Sequence, residues 1–456
     1  MAGQPDGAAA GAAPRLSGHP VKPPLLFLCH RIPYPPNKGD KIRAWHLLRH
    51  LAAEFDVHLA TFVDDPADWQ HIETLRELCA TTFFAPLIPW RATVASVTGF
   101  ATGEALSLPY YRSAGAGLAD WVARCAEREN VRHAMVYSSA MAQFLPSTGG
   151  KPGDAIARKV IDFVDVDSDK WLQYSVHKPW PLSWVYRREG QRLLDCERAL
   201  AVQFDYGLFV SSAEAALFRR LAPESAHKVG HYNNGVDTDY FRPDPTLADP
   251  FDGAPTLVFT GAMDYWPNVD AVVDFAEKIL PTLQKAQPLR LCIVGGNPSD
   301  RVQALGKSPG ICVTGRVPDV RPYLQHALAA IAPMRVARGV QNKVLEGMAM
   351  AKPILVSALG LEGIDATDGE HLLLAETADD YARHLDALQR GEHAGLGERA
   401  RAYVSCAFNW DDNLPEVALL LRGEQAASQK NSTCAFAASG LTSNPPAAAT
   451  SLRGLS

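Results

Sequence analysis

The segment RGVQNKVLEGMAMAKPI, at positions 338–354, combines polar and apolar side chains at helical spacing. For a helix that begins near Gly339, at 100° per residue, Asn342, Lys343 and Glu346 share one face. The opposite face carries apolar residues, namely Val340, Val344, Leu345 and Met348. The polar face then lies at the helix N-terminus, where backbone N–H groups lack partners and the helix dipole is positive.

That combination suits a sugar nucleotide. Arg338 and Lys343 add positive charge for a diphosphate at the helix end, and the Glu346 carboxylate suits ribose hydroxyls. The alternative is a solvent-exposed helix face on which Glu346 makes an ordinary surface pair.

The composition is typical of a globular chain with more than one domain. The sequence has 456 residues, of which 47% are hydrophobic and 21% are charged, and such a length favours two or three domains. The formal net charge of −6 excludes an overall basic field, so we expect no nucleic-acid partner. The cysteines form no Cys-x-x-C pair and no Cys/His cluster at zinc spacing.

Short apolar runs alternate with helical stretches in two sections of the chain. The runs lie at 24–30, 56–62, 81–87, 133–139, 159–165 and 205–212, and then at 256–261, 289–296, 310–315, 329–334, 352–357 and 371–375. Strands that are apolar throughout are typical of parallel sheets covered by helices on both faces. A linker-like stretch near 231 separates the sections. We predict two Rossmann-like domains, split near residue 240, with a cleft between them.

Both ends of the chain have a biased composition. Residues 1–23 are rich in Ala, Gly and Pro, and residues 422–456 are rich in Ser, Ala and Asn, so we predict two disordered tails. We find no convincing signal peptide and no apolar run long enough to span a membrane. The sequence therefore favours a cytoplasmic protein.

Residues that follow the predicted strands are the second set of candidates, because ligands of parallel sheets lie at the carboxyl ends of the strands. Lys38 and Gly39 follow the first strand in NKGDKIR, where glycine permits close approach to an anion, although a solvated turn is the alternative. Gly261 follows the first strand of the second section, in TGAMDYWPN.

Asp165, Asp167 and Ser168 follow another strand, in the segment DVDSDK. Their side chains suit contact with acceptor hydroxyls. An Asp-x-Asp metal site is one alternative, although no glycine and later Glu complete a calcium loop. A helix N-cap is the other alternative.

The segment KPWPLSWVYRREG, at 178–190, is rich in aromatic and basic side chains. An exposed segment of this kind would bind a sugar ring or contact a membrane surface, whereas a buried one would only pack.

Several segments resemble the family-4 glycosyltransferases of GT-B fold. RGVQNKVLEGMAMAKPILVS is similar to their donor-site segment, which usually reads Glu-x7-Glu, then Ala-Met-Ala, then Gly-x-Pro-Val. HYNNGVDTDYF resembles their interdomain segment, and LVFTGAMDYWPNVDAV, LRLCIVGGNP and VTGRVPDVRPYL resemble successive strands of their C-terminal domain. RIPYPPNKGDKIR, DVDSDKW, YRREGQRLLDCERA and GAMDYWPN resemble, more narrowly, sugar transferases associated with PEP-CTERM/exosortase exopolysaccharide systems.

The resemblance implies two Rossmann-like domains whose parallel sheets face each other across a cleft. It implies an acceptor domain at 24–240, a donor domain at 241–408 and a helix at 409–421 that crosses back to the first domain. It further implies retaining transfer from a nucleotide-sugar to a glycan acceptor, lipid-linked in exopolysaccharide synthesis, without a metal ion or cofactor. A peripheral contact with the inner face of the cytoplasmic membrane would accompany such an acceptor.

The resemblance also assigns roles to single residues. Glu346 matches the second Glu of the family motif, which binds the ribose. The donor-binding set is Gly39, Gly261, Arg335, Arg338, Gly339, Asn342, Lys343 and Glu346. The acceptor-binding set is Lys38, Asp165, Asp167 and Ser168, and the catalytic set is Asp165, Arg338 and Lys343.

The chain departs from the family pattern at three places. Arg338 replaces the first Glu of the motif and cannot accept a hydrogen bond from a sugar hydroxyl. The segment GAMDYWPN lacks the usual Arg and Lys that offset diphosphate charge, so we expect Arg335, Arg338 or Lys343 to replace them. Asp165 or Asp167 stands where many relatives have a His.

Two other functions stay open at this point. One is a nucleotide-sugar 2-epimerase of related two-domain fold, which needs no acceptor. The other is a non-catalytic protein that binds a sugar nucleotide, because Arg338 breaks the motif.

Overall fold

A computed structural model describes residues 22–146, 156–176, 178–337 and 339–424. Nearly all of the two predicted tails lies outside these residues. The described strands are β1 (Pro24–Cys29), β2 (Asp56–Val63), β3 (Thr81–Pro86), β4 (His133–Tyr137), β5 (Arg158–Val164), β6 (Tyr206–Phe209), β7 (Val229–His231), β8 (Thr256–Thr260), β9 (Arg290–Val294), β10 (Ile311–Gly315), β11 (Ala329–Ala332), β12 (Ile354–Val356) and β13 (Leu373–Leu374).

Helices connect the strands. The first nine α-helices are α1 (Gly39–Glu54), α2 (Ile72–Leu78), α3 (Pro89–Ser96), α4 (Thr98–Thr102), α5 (Ser107–Ala114), α6 (Leu118–Arg128), α7 (Asp167–Val176), α8 (Leu182–Gln203) and α9 (Ser212–Leu221). The others are α10 (Trp266–Asp274), α11 (Leu280–Ala286), α12 (Asp300–Leu305), α13 (Arg321–His326), α14 (Asn342–Ala349), α15 (Ala378–Gln389), α16 (Leu396–Ala407), α17 (Trp410–Asn413) and α18 (Pro415–Arg422). Short 3₁₀ helices lie at Pro66–His71, Ser139–Phe144 and Pro223–Lys228, and a π-helical turn at Phe275–Ile279 joins α10 to α11.

The strands form two parallel sheets. The first has the order β3-β2-β1-β4-β5-β6-β7, and the second has the order β10-β9-β8-β11-β12-β13. In both sheets the order reverses beside the first strand, between β1 and β4 and between β8 and β11. Ligands of such sheets bind at the carboxyl ends of the strands at this reversal. The predicted fold of two parallel-sheet, Rossmann-like domains is confirmed.

Both faces of each sheet are covered, which explains why the strands are apolar throughout. In β1, Leu25 and Phe27 pack into the core on one side of the sheet, and Leu26 and Leu28 pack into the core on the other side. This is the alternation expected of a strand between two helical layers. The second sheet has its own continuous core, which includes Leu257, Phe259 and Ile293.

The last two helices pack on the first sheet. Phe408 belongs to the core of the second sheet, whereas Trp410 and Val417 belong to the core around β1 and α1. The Trp410 ring stacks on His46 at 4.5 Å between ring centroids. The chain therefore returns from the second sheet to the first between Phe408 and Trp410.

A buried arginine fixes α1 to the segment that joins the two sheets. Arg43 Nε lies 2.9 Å from Asp162 Oδ2, and Nη1 donates to Asn234 Oδ1 at 2.9 Å. Its guanidinium also covers the Tyr232 ring, 3.5 Å from the centroid. These bonds satisfy a buried ion pair whose charges would otherwise be costly to desolvate. The network holds the connecting segment against the end of β5.

Candidate functional site

Helix α14 begins at Asn342, three residues later than the sequence spacing predicted. Gln341, at the N-cap, has extended backbone angles, and Gly339 has a φ of +64° in the left-handed region. Neither conformation continues a right-handed helix, so the predicted start near Gly339 was wrong. The two-faced pattern within the helix is present, because Val344, Leu345 and Met348 are buried while Asn342, Lys343 and Glu346 stay partly exposed.

Lys343 and Glu346 lie on the exposed face of the first turns of α14. Lys343 Nζ donates to Gln341 Oε1 at 3.2 Å and lies 5.4 Å from the centroid of the Phe259 ring. Among the described residues, no hydrogen bond or ion pair within 4.0 Å reaches the Glu346 carboxylate. The carboxylate therefore has unused acceptor capacity.

Burial shifts the titration of both groups. Burial lowers the pKa of Lys343 to about 8, although the nearby Glu346 opposes the shift. Burial raises the pKa of Glu346 to about 7, although Lys343 opposes that shift. Burial makes the charged forms of Lys343 and Glu346 unfavourable in the free protein. Ligand groups that bind to these side chains would stabilise the charged forms.

The loop after β8 packs against Lys343. A Cβ atom at Gly261 would lie 3.6 Å from Lys343 Cε and 2.7 Å from Asn268 Nδ2. A side chain at this position would displace Asn268, so glycine keeps the backbone of this loop beside the lysine. The structure thus brings Gly261, Asn342, Lys343 and Glu346 together at one end of the second sheet.

The two sheets meet at this helix end. A Cβ atom at Gly39, the first residue of α1, would lie 3.6 Å from Asn342 Nδ2. A Cβ atom at Gly339 would lie 2.8 Å from Asp165 Oδ1, which follows β5. The N-terminus of α1, the N-terminus of α14 and the end of β5 therefore surround one cleft. Lys38 lies at the N-cap of α1, and its side chain is exposed.

Asp165 is placed by a strained backbone. The preceding residue, Val164, has a φ of +71° at an irregularity in the pairing of β5 with β6. This conformation is unfavourable for a β-branched residue and costs on the order of 1–3 kcal/mol. It turns the chain at the end of β5, and the Asp165 carboxylate then lies against Gly339. Such strain is typical of functional sites.

Lys170 joins the two carboxylates of this segment. Its Nζ lies 3.7 Å from Asp165 Oδ2 and 3.7 Å from Asp167 Oδ1. Burial lowers the pKa of Lys170, but Asp167 and Asp165 more than offset this effect, so the pKa is raised and the ammonium stays charged. Burial also raises the pKa of the Asp165 carboxyl, which Lys170 partly counteracts.

A cavity of about 290 Å³ adjoins this segment on the side of the first sheet. Its lining includes Asp167 and Lys170 together with residues that sequence reasoning missed, namely His30, Ser138, Ser139, Trp171 and Tyr174. His30 directly follows β1, and its ring stacks on Tyr137 at 5.7 Å between centroids. The sequence signal for His30 was its position directly after a predicted strand. The rule that ligands lie at the carboxyl ends of parallel strands identified Asp165 after β5 in the same way. The cavity combines aromatic surfaces with hydroxyl and charged groups, as small-molecule sites do.

One sequence prediction needs correction, and two others stay predictions. Ser168 is fully buried, and its hydroxyl donates to Glu197 Oε2 at 2.6 Å, so it does not reach an acceptor. Arg335 Nη1 lies 2.6 Å from Asp274 Oδ1 of α10, and the half-exposed side chain also lines a cavity of about 430 Å³. Its donor role stays a prediction. Arg338 lies outside the described residues, and its role stays a prediction as well. Of the three expected replacements for the missing diphosphate cations, Lys343 is the one that lies on α14 within the described residues.

The two shifted pKa values predict how donor binding depends on pH. Below about 7 Glu346 becomes protonated, and above about 8 Lys343 loses its charge. Donor affinity measured by calorimetry should therefore peak between these values and fall towards about tenfold per pH unit outside them. Lys343→Arg should remove only the alkaline fall, because arginine stays protonated. A flat profile from pH 6 to 9 would contradict both assignments.

Comparison with known proteins gives one family match. Residues 254–390 match the family described as Glycosyl transferases group 1. No curated protein matches the chain in sequence.

Solved structures resemble the chain over most of its length. HepE of Anabaena, in complex with UDP, has 14% identity and a TM-score of 0.59, covering 88% of this chain and 100% of that one. Sucrose-phosphate synthase of Thermosynechococcus elongatus has 19% identity and a TM-score of 0.62, covering 92% and 100%. WaaG, a glycosyltransferase of lipopolysaccharide biosynthesis, has 14% identity and a TM-score of 0.59, covering 88% and 100%. These likenesses establish the GT-B fold.

The stretch that matches the group 1 glycosyltransferase model includes every strand of the second sheet, and the whole chain has the GT-B fold. The domain match and the fold together identify the protein as a glycosyltransferase. Within the described residues, no helix is both long and apolar enough to cross a membrane.

Proposed function

We propose that the protein is a retaining glycosyltransferase that moves a sugar from a nucleotide-sugar to a glycan acceptor. The observation that carries this proposal is that Lys343 and Glu346 lie on one face of the first turns of α14, at the cleft between the two sheets. A cationic helix end suits a diphosphate, and a carboxylate with unused acceptor capacity suits ribose hydroxyls. The solved structure of HepE in complex with UDP supports a nucleotide donor.

We propose a transfer in which the acceptor attacks from the face that the diphosphate leaves. The bond between the anomeric carbon and the diphosphate oxygen breaks, and the acceptor hydroxyl oxygen bonds to the same carbon from the same face. The hydroxyl proton passes to the departing phosphate oxygen, so that a nucleoside diphosphate leaves. Lys343 and the free N–H groups of α14 stabilise the charge that develops on the diphosphate.

The acceptor would occupy the cavity beside Asp167, His30 and Trp171. Asp165 lies between this cavity and the loop that leads to α14, where Gly339 is its neighbour. We propose that it orients the acceptor hydroxyl towards the donor sugar. A glycan acceptor fits the aromatic and hydroxyl lining, and we propose that it is lipid-linked and belongs to exopolysaccharide biosynthesis, on the resemblance of four segments to PEP-CTERM-associated transferases.

We further propose that transfer needs no metal ion or cofactor. The two carboxylates of the Asp-x-Asp segment are joined by Lys170, whose ammonium stands where a cation would balance them. The positive charge for the diphosphate is supplied by Lys343 and the helix end, which is the role that a metal performs in other sites.

Product analysis tests the proposed function. The protein is incubated with UDP-, GDP- and ADP-sugars, with and without candidate acceptor glycans, and the products are examined by NMR. We expect a new glycosidic bond whose anomeric configuration matches that of the donor, formed only when an acceptor is present. A changed sugar without an acceptor would indicate the epimerase, and donor binding without turnover would indicate a binding protein; either result would overturn the proposal.

A further inference from the structure

A cavity of about 430 Å³ lies between the two halves of the chain, and we call it the bridging cavity. One wall belongs to the first half, where Tyr174 lies on α7 and Lys178 follows that helix. The opposite wall belongs to the second half, with Trp266 on α10, Arg301 on α12 and Arg335 after β11. Its volume is within the range of small-molecule sites, which is about 300–1,000 Å³.

Tyr174 separates the bridging cavity from the acceptor cavity. Its side chain lines both cavities, whereas Trp171, one turn earlier on α7, lines the acceptor cavity. The Tyr174 ring meets the Trp266 ring edge to face, with centroids 5.3 Å apart and planes inclined by 77°. The two cavities are therefore neighbours along α7. A glycan that extends past the acceptor cavity at Tyr174 enters the bridging cavity.

Positive charge exceeds negative charge in the bridging cavity. Among the described residues, its lining has three basic side chains, those of Lys178, Arg301 and Arg335, and one carboxylate, that of Asp270. Arg335 Nη1 lies 3.6 Å from Asp270 Oδ2 and 2.6 Å from Asp274 Oδ1. The carboxylate of the lining is therefore already engaged by Arg335 and does not balance the other two cations. This local excess contrasts with the net charge of −6 of the whole chain.

Lys178 and Arg301 are the two cations that remain. In the part of the chain that the structure describes, no ion pair within 4.0 Å and no side-chain hydrogen bond reaches either of them. Lys178 Nζ lies 5.8 Å from the centroid of the Trp266 ring, so its charge is held at the aromatic wall. A cleft lined by one sign of charge focuses its field and attracts a ligand of the opposite sign. The bridging cavity thus combines two aromatic rings with two cations that an anionic group can pair with.

We propose that the bridging cavity binds an acidic sugar unit of the acceptor, whose carboxylate or phosphate group pairs with Lys178 and Arg301. The sugar lies beside Trp266 and Tyr174, and the neighbouring sugar unit occupies the acceptor cavity. The substrate class of the acceptor is then an anionic glycan. The presence of an acceptor rests on the proposed function, whereas the binding of an acidic sugar depends only on the bridging cavity.

Saturation-transfer NMR with small sugars tests this binding. The full chain is mixed with methyl glucuronide, with glucose 6-phosphate and with methyl glucoside as the neutral counterpart. We expect at least one acidic sugar to have a dissociation constant at least about tenfold lower than that of methyl glucoside, because hydrogen bonds to a charged group are the stronger ones. The acidic sugar that binds more tightly distinguishes a carboxylate from a phosphate ligand. Equal dissociation constants for all three sugars would overturn the proposal.

The double variant Lys178→Gln/Arg301→Gln should bind the acidic sugars as weakly as the wild type binds methyl glucoside. Neither side chain is buried, so the thermal midpoint should stay that of the wild type. Lys307→Gln is the matched control, because Lys307 is exposed and follows the end of α12, whereas Arg301 lies in the first turn of that helix. This control should keep the preference for acidic sugars. A double variant that keeps the preference would contradict the role of the two cations.

Nucleotide competition separates this inference from the proposed function. UDP, GDP and ADP should not displace the acidic sugar, since no residue of α14 is in the described lining of the bridging cavity. Displacement would show that the cavity holds part of the donor and would overturn the inference. A preference for acidic sugars without any transfer would overturn the proposed function alone. Transfer to a glycan without a preference for acidic sugars would overturn this inference alone.

Discussion

Replacing Lys343 by methionine is expected to lower turnover by about a hundredfold or more. The lysine lies at the N-terminus of α14, beside the loop of Gly261. We propose that it offsets the charge of the donor diphosphate, which the Arg and Lys missing from GAMDYWPN offset in the family. Removal of one preorganised charge from a site where negative charge develops typically costs about 10²–10³ in rate. The measurement is the rate of nucleoside diphosphate release with saturating acceptor, together with donor affinity by calorimetry.

The stability of Lys343→Met should not fall. Burial lowers the pKa of Lys343 to about 8, below its unfolded value of 10.5, so at neutral pH the folded state bears a cost for the charged form. This cost is fully present below pH 8 and disappears as the pH rises through the unfolded value. Methionine has no such cost, so the thermal midpoint at pH 7 should stay the same or rise.

Lys352→Met is the matched control for that variant. Lys352 is also a lysine whose pKa is lowered by burial, but its ammonium donates to the carbonyls of Gln325 and Ala327 at 2.5 Å and 3.0 Å. Its loss should lower the thermal midpoint, because two buried carbonyls lose their partner, and should leave donor affinity unchanged. Wild-type turnover in Lys343→Met, or equal loss of donor binding in both variants, would contradict the diphosphate role.

Asp165→Asn is expected to lower kcat by about 10² while donor affinity changes little. The substitution keeps the size of the side chain and removes its charge. Loss of a group that orients the attacking hydroxyl costs about this factor, and the proposed donor contacts lie on α14 rather than on Asp165. Steady-state kinetics with a varied acceptor would give kcat and KM separately.

Two neighbouring carboxylates provide the comparison. Asp167 lines the acceptor cavity and shares Lys170 with Asp165, so Asp167→Asn should mainly raise the acceptor KM. Asp169 accepts a hydrogen bond from Gln173 on the same helix. Asp169→Asn should therefore leave kcat and the acceptor KM unchanged. Equal losses of kcat in Asp165→Asn and Asp167→Asn would show that the charge balance of Lys170, rather than Asp165 itself, matters for transfer.

The periodicity of the sequence predicted the two sheets because their strands are buried on both faces. The apolar runs at 256–261 and 289–296 became β8 and β9, since a parallel strand between helical layers has no polar side. The start of α14 could not be predicted in this way. It depends on the left-handed backbone of Gly339, which packs against Asp165 from the other sheet, and no local pattern records that contact.

Site residues were predictable where helical spacing or a strand end determines their position. Asn342, Lys343 and Glu346 share a face through helical geometry, and Asp165 follows β5 at the edge where the cleft lies. The role expected for Ser168 failed because its partner is distant in sequence, since Glu197 is 29 positions away. His30 was missed because its significance comes from the cavity that Tyr174 and Ser138 close around it.

The measurement that tests the central claim most directly is the binding of nucleotide-sugars to wild type and to Glu346→Ala. Thermal unfolding is followed with UDP-, GDP- and ADP-sugars. A donor at about 100 times its dissociation constant should add ~2.7 kcal/mol of stability to the wild type. We predict such a shift for one nucleotide and its loss in Glu346→Ala, because the ribose then lacks its carboxylate partner. An equal shift in both proteins would remove Glu346 from the site and contradict the placement of the donor on α14.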